Sequence, residues 1–177
     1  IISKLDYLAD LGIDVIWISP FFESPMIDNG YDISNYFKVD PIFGDNADLE
    51  ELISAAKKYN IKIIFDLVVN HCSDRHEWFK KAIQDPNCEE RNYFIIKKKT
   101  EITNWRSIFG GSCWTLLPGS KDDYYFHVFA KEQPDLNWEN PKLRQKIYEM
   151  IRYWLDKGIG GFRVDAISYL KKNQTYP

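Results

Sequence analysis

Residues 61–71 read Ile61-Lys62-Ile63-Ile64-Phe65-Asp66-Leu67-Val68-Val69-Asn70-His71, and this stretch decides the fold. A near-continuous run of branched apolar side chains at strand length is the pattern of a strand buried on both faces, as in a parallel sheet. Upstream, residues 48–59 carry Leu49, Leu52, Ile53 and Ala56 on one helical face, with Asn46 or Asp48 placed to cap it. Further back, residues 13–20 form a second apolar run. Residues 2–11 repeat Ile2, Leu5, Leu8 and Leu11 as an amphipathic helix closed by Gly12. The stretch between them, 21–44, is rich in Pro, Gly, Asn and Asp and reads as a long loop. Downstream, Asn140 caps and Pro141 opens a helix over 141–157 that Gly158 stops; its apolar face is Leu143, Ile147, Ile151, Trp154 and Leu155. Residues 160–167 form the third strand.

Helices and strands alternate, which calls for right-handed βαβ units and a parallel sheet. The spacing is uneven. The second strand starts 47 residues after Asp14, but the third follows 100 residues after Ile61. The excess lies in residues 72–133, rich in Lys, Tyr, Phe, Trp and Gly, with β-like runs at 93–97 and 124–129. This segment reads as a small irregular subdomain inserted into one loop of an α/β scaffold formed by residues 1–71 and 134–177.

The 177 residues hold 23 Lys+Arg against 26 Asp+Glu, a net charge of −3, with 45% hydrophobic and 28% charged residues. That composition excludes a disordered chain, and the mild acidity argues against a nucleic-acid partner. No apolar run is long enough to span a membrane. Cys72, Cys88 and Cys113 are odd in number and scattered, which fits neither a disulfide framework nor a metal site. Aromatic residues reach 16%; most pack cores, although the same faces can stack on sugar rings. The chain opens on Ile1 inside a helical pattern and ends at 173–177 without a helix stop, so it reads as part of a longer polypeptide.

Polar residues gather where the strands end: Asp28-Asn29-Gly30-Tyr31-Asp32 after the first, Asp66 and Asn70-His71 at the second, Arg163 and Asp165 at the third. Side chains at the C-terminal ends of parallel strands build active sites. Arg163 and Asp165, two apart on a strand, share a face; Phe162 and Val164 face the helices. The pair is either a structural ion pair or a guanidinium that keeps a rigid carboxylate ionised for nucleophilic work. Asp66 can orient a neighbour, His71 can offer a ring N–H to a hydroxyl, and Tyr31 beside Asp32 joins an aromatic platform to a carboxylate. The Asp/Asn-rich loop lacks EF-hand spacing, so no metal is expected there.

Together these stretches resemble the α-amylase family, glycoside hydrolase family 13. Residues 66–71 resemble its first signature region and 161–165 its second. Gln133-Pro134-Asp135-Leu136-Asn137-Trp138 is similar to the motif ending the inserted B domain in the oligo-1,6-glucosidase and α-glucosidase branch. The resemblance implies a partial (β/α)₈ TIM barrel with the B domain after the third barrel strand. It implies Asp165 as nucleophile, Arg163 as its partner, and His71, Tyr31, Asp32 and Asp66 around the terminal glucose: His71 contacting it, Tyr31 stacking, Asp32 binding its hydroxyls and Asp66 supporting them. The reaction would be retaining hydrolysis of short oligosaccharides, completed by a Glu on a later strand.

A whole barrel needs ~250 residues, so these residues alone are expected to be inactive. An open three-stranded piece also leaves two sheet edges prone to association. In this branch Val after the nucleophile goes with α-1,6 and trehalose-phosphate substrates, and smaller residues with α-1,4; Ala166 therefore favours α-1,4 links such as maltose. No cofactor is implied, apart from a Ca²⁺ that the region before residue 1 could hold. The branch and the unpaired cysteines suggest a cytoplasmic setting. The competing expectations are a sucrose- or trehalose-phosphate-acting relative or transglycosylase, for which Lys97-Lys98-Lys99 is a candidate phosphate contact, and a non-catalytic binding subunit of the same fold.

Overall fold

The computed structural model describes residues 1–173; the remainder of the 173–177 tail reading lies outside the described residues. After a 3₁₀ turn at Ile2–Lys4, the elements are α1 (Leu5–Asp10), β1 (Val15–Ile18), β2 (Phe22–Glu23), β3 (Asn35–Val39), α2 (Asn46–Lys58), β4 (Lys62–Leu67), α3 (Glu77–Gln84), β5 (Ile96–Lys98), β6 (Trp114–Leu116), β7 (Asp123–Phe126), α4 (Pro141–Asp156) and β8 (Gly161–Val164). Short 3₁₀ segments lie at Glu89–Tyr93 and Ile167–Tyr169.

The three strands expected from sequence form one sheet in the order β1-β4-β8. All pairings are parallel, with Ile16 opposite Ile63 and Asp66 opposite Arg163. Only one face is fully covered. Ile63 and Phe65 are buried beneath the helices, whereas Trp17 on β1 is 48% exposed. The continuous apolar run therefore reflects a second, inward face that a closed barrel would also bury.

On the covered face, Phe65 meets Phe21 and Trp154 edge to face at 4.8 and 5.5 Å. The Trp154 indole N–H donates to the Tyr36 carbonyl at 2.8 Å, joining α4 to β3. Helix α4 begins as expected: the Asn140 side chain accepts from the Lys142 and Leu143 amides, and Pro141 takes the first turn. Its buried stripe is Leu143, Ile147, Met150 and Trp154. Leu155, expected on that stripe, is 44% exposed, because it falls about 100° past Trp154 around the helix. Helix α2 buries Leu49, Leu52, Ile53 and Ala56 as read, but its cap is Asp45 rather than Asn46 or Asp48. Asp48 sits at the third helical position and reciprocates, which makes a capping box.

Four further elements, β2, β3, α3 and β6, lie where the sequence suggested irregular chain. The 21–44 stretch folds back as the antiparallel pair β2-β3, with a bulge between Phe22 and Glu23. Tyr36 of this pair donates its hydroxyl to the carbonyls of Val68 and His71, bracing the end of β4. The insert contains helix α3 and the antiparallel sheet β5-β7-β6. Two of its strands overlap the expected runs at 93–97 and 124–129; β6 and α3 do not appear in that reading. The insert packs into the main core as well as on itself. Phe79, Tyr93, Phe94 and Tyr125 join the main core, while Ile95, Cys113, Trp114, Phe126 and Val128 form a local cluster.

Strand β8 ends at Val164, short of residue 167, because Ala166 turns left-handed at φ 47°. Val164 is 37% exposed rather than covered by helices. Asp165 stays anchored, since its amide donates to the Leu67 carbonyl at 3.1 Å.

Trp154→Phe keeps most of the buried volume but leaves the Tyr36 carbonyl without its indole donor. It should lower unfolding stability by about 1–3 kcal/mol, read as a shifted urea midpoint at constant slope.

Candidate active site

The parallel register of β4 and β8 sets Asp66 against Arg163. The guanidinium Nη1 lies 3.0 Å from both Asp66 carboxylate oxygens and 2.6 Å from Oδ1 of Asp165. It also sits over the Trp17 ring at 5.3 Å, a cation–π contact reaching across β4 to β1. Tyr31 donates its hydroxyl to Asp66 at 3.2 Å. Asp165, Arg163, Asp66 and Tyr31 thus form one connected cluster at the strand ends. Burial pushes the Asp66 carboxyl upward, and the Arg163 hydrogen bonds and charge oppose that shift. The Tyr31 phenol is raised by burial and by the neighbouring Asp66 charge.

His71 joins the cluster from behind. Its ring is 1% exposed, with Nε2 at 3.2 Å from the Tyr31 carbonyl and Nδ1 at 3.1 Å from the Asn70 amide nitrogen. Burial lowers its pKa to about 3, and the nearby Lys172 ammonium pushes the same way. His71 is therefore neutral at ordinary pH, and in this structure its ring lies beneath the loop rather than at an open surface.

Asp32 is placed differently from expectation. It is fully buried, and both carboxylate oxygens are occupied within its own loop. Oδ1 accepts from the Ser24 hydroxyl and the Asp28 amide, and Oδ2 from the Ile27 amide. In this structure the hydrogen bonds of Asp32 hold its own loop together. In the same loop Asp28 accepts from Gln133 Nε2 at 2.9 Å. Gln133, fully buried at the end of the insert, also lies 3.2 Å from His71 Nε2. Both residues fall within longer stretches marked from sequence, but neither carries a predicted role. The available signals were the Asn29-Gly30 reversal beside Asp28 and the place of Gln133 at the head of the motif that closes the insert.

Among the described residues, no three His, Cys, Asp or Glu side chains converge as metal ligands, and no helix is long and apolar enough to cross a membrane. An arginine-clamped carboxylate at a parallel strand end, flanked by an aromatic ring and amide and carboxylate groups, can attack an electrophilic carbon and bind hydroxyls at its rim.

Comparison with known proteins places this geometry. The sequence model of the alpha amylase catalytic domain matches residues 1–177, and the chain belongs to the α-amylase family, glycoside hydrolase family 13. It is 55% identical over 172 residues to a glucan 1,6-alpha-glucosidase of Streptococcus pneumoniae, covering 97% of this chain and 32% of that protein. It is 49% identical over 180 residues to an oligo-1,6-glucosidase of Bacillus cereus, covering 100% of this chain and 32% of that protein. The crystal structure of Bacillus licheniformis trehalose-6-phosphate hydrolase superposes with a TM-score of 0.94 at 47% identity, over 98% of this chain and 32% of that one. The chain therefore carries part of a TIM-barrel catalytic domain and spans about a third of the length of these relatives.

His76 accepts the Trp78 amide at the start of α3, and burial lowers its pKa to about 4. His71 and His76 both lie below the free-histidine value of 6.5 when folded. The unfolded chain then binds more protons below that pH, so stability is full above about pH 6.5 and falls as pH drops towards 4. His76→Asn keeps a capping side chain without the titration. It should shrink the stability loss between pH 7 and pH 5 by on the order of 1–2 kcal/mol, measured by urea denaturation at the two pH values.

Proposed function

We propose that the polypeptide carrying these residues is a retaining α-glucosidase that removes glucose from the non-reducing end of short α-linked oligosaccharides. The observation that supports it most is the Asp165 carboxylate, 2.6 Å from the Arg163 guanidinium at the mouth of β8. In this reading Asp165 attacks the anomeric carbon and forms a glycosyl-enzyme ester. A glutamic acid supplied from outside these residues protonates the departing oxygen. The same glutamate then takes a proton from water as the water cleaves the ester. Arg163 and Asp66 hold the nucleophile's orientation, Tyr31 stacks on the sugar, and Asp28 with Gln133 offers polar atoms at the rim. His71 acts through the loop it supports. No cofactor takes part, and the free thiols of Cys72, Cys88 and Cys113 fit a reducing, cytoplasmic setting.

Two linkages compete. The names of the glucan 1,6-alpha-glucosidase and oligo-1,6-glucosidase relatives favour α-1,6. Ala166, small where the family's α-1,6 enzymes carry Val, favours α-1,4. A phosphorylated disaccharide is a weaker reading, because Lys98 of the Lys97–Lys99 run is already paired with Asp123 at 2.6 Å.

In the full-length polypeptide, Asp165→Asn should lower glucose release at least about a thousandfold with the fold intact; an active variant would remove Asp165 from the role of nucleophile. The 177 residues alone should release no glucose from either maltose or isomaltose. Ala166→Val, strained because a branched side chain disfavours a positive φ, should raise the isomaltose-to-maltose rate ratio within one preparation by up to roughly tenfold. An unchanged ratio would cut Ala166 out of linkage choice.

A further inference from the structure

The Lys172 side chain is 6% exposed, and its ammonium is buried among groups from three parts of the chain. It lies 3.0 Å from Oδ2 of Asp135, which is itself fully buried, and donates to Oδ1 of Asn70 at 2.8 Å. Asp135 follows the insert, Asn70 follows β4, and Lys172 comes shortly after β8. A lysine this deep needs a reason.

The reason lies one residue further on. An ammonium has donors only, so the Asn70 atom it meets must be the amide oxygen. That fixes the amide's orientation and turns its NH₂ group to His71 Nδ1 at 3.1 Å. Nδ1 must then accept, and the neutral ring carries its proton on Nε2. This tautomer gives each ring nitrogen a partner, because Nε2–H donates to the Tyr31 carbonyl at 3.2 Å, at the cost of facing the Gln133 amide donor at 3.2 Å. The other tautomer would gain only an acceptor for Gln133 Nε2, 3.2 Å away. It would set Nδ1–H against the Asn70 donor and leave the Tyr31 carbonyl without its partner. Gln133 cannot turn its oxygen inwards instead, since that oxygen accepts from the Ala130 amide at 3.0 Å.

We propose that Lys172 and Asn70 are positioning residues that lock His71 in the Nε2–H tautomer, so that it holds the Tyr31 backbone and with it the aromatic platform of the site. The platform role rests on the function proposed above; the tautomer does not. A doubly protonated ring would face the Asn70 donor in the same way, which agrees with the strongly lowered pKa of His71.

The test is ¹⁵N NMR of the full-length polypeptide labelled at histidine, with His71 assigned by loss of its signals in His71→Gln. The unmodified protein should show a bare Nδ1 and a protonated Nε2 without any substrate present. Asn70→Asp replaces the donor by an acceptor and should move the proton to Nδ1. Lys172→Met frees the amide and should give a mixture of the two forms. A protonated Nδ1 in the unmodified protein overturns the proposal whether or not the variants fold. Folded variants whose His71 signals stay put overturn the part assigned to Asn70 and Lys172. Because no substrate is involved, an inactive polypeptide with the expected tautomer would count against the glycosidase reading alone.

Discussion

A carboxylate buried at the end of a strand is costly unless a cation answers it, and Asp66 is 3% exposed. Its answer is Arg163, placed opposite it by the parallel register of β4 and β8. The same guanidinium holds Asp165 and rests on the Trp17 ring. One charged group therefore ties all three strands of the sheet to the orientation of the Asp165 carboxylate. The contacts to both carboxylates come from the one nitrogen Nη1, while the guanidinium carbon lies 5.3 Å from the centre of the Trp17 ring.

The insert depends on the same strand ends. It leaves and rejoins the scaffold side by side, with the Leu136 amide donating to the Asn70 carbonyl at 2.8 Å and the Asp74 amide to the Glu132 carbonyl at 2.8 Å. Phe79, Phe94 and Tyr125 pack together and extend the main core into the insert. Gln133 and Asp135, at this junction, meet Asp28 and Lys172 respectively. The wall of the site is thus built from a junction under several hydrogen bonds, and a loop of that kind holds geometry rather than sampling it.

The legible and illegible parts of the sequence differ in the range of the forces that fix them. Strands β1, β4 and β8 and helices α2 and α4 were visible because periodicity and caps are local signals. The capping box on α2 shows the limit of that view: residue type alone allows Asp45, Asn46 or Asp48 as the cap, and the structure uses Asp45 with Asp48 reciprocating. Helix α3 was overlooked because Trp78, Phe79, Ala82 and Ile83 sit in a Lys- and Glu-rich stretch whose single apolar face has meaning only against the core it covers. The pair β2-β3 is shorter still and exists through its partners. In the site, the sequence marked Asp165, Arg163, Asp66, Tyr31 and His71 as neighbours, and the structure connects them. It could not separate Asp28 from Asp32. Between the two lies a reversal in which Asn29 and Gly30 take φ values of 50° and 95°, and Gly30 packs so tightly that a β-carbon there would lie 2.8 Å from the Pro20 carbonyl oxygen. The Asn-Gly pair signals that a turn is there, but the contact across the loop that fixes its path is not written in the pair itself.

The charge arrangement follows from these constraints. Around the Arg163 guanidinium stand two carboxylates, Asp66 and Asp165. When the carboxylates are ionised, one cation does not neutralise them, so the cluster carries a net negative charge. For the proposed reaction that sign is useful, because the sugar becomes oxocarbenium-like and positive as its bond to the leaving group breaks. Fixed charges of opposite sign stabilise that state more than the neutral ground state and need no rearrangement as it forms. The pair that makes the buried carboxylate tolerable in the fold therefore also sets how negative the site can be.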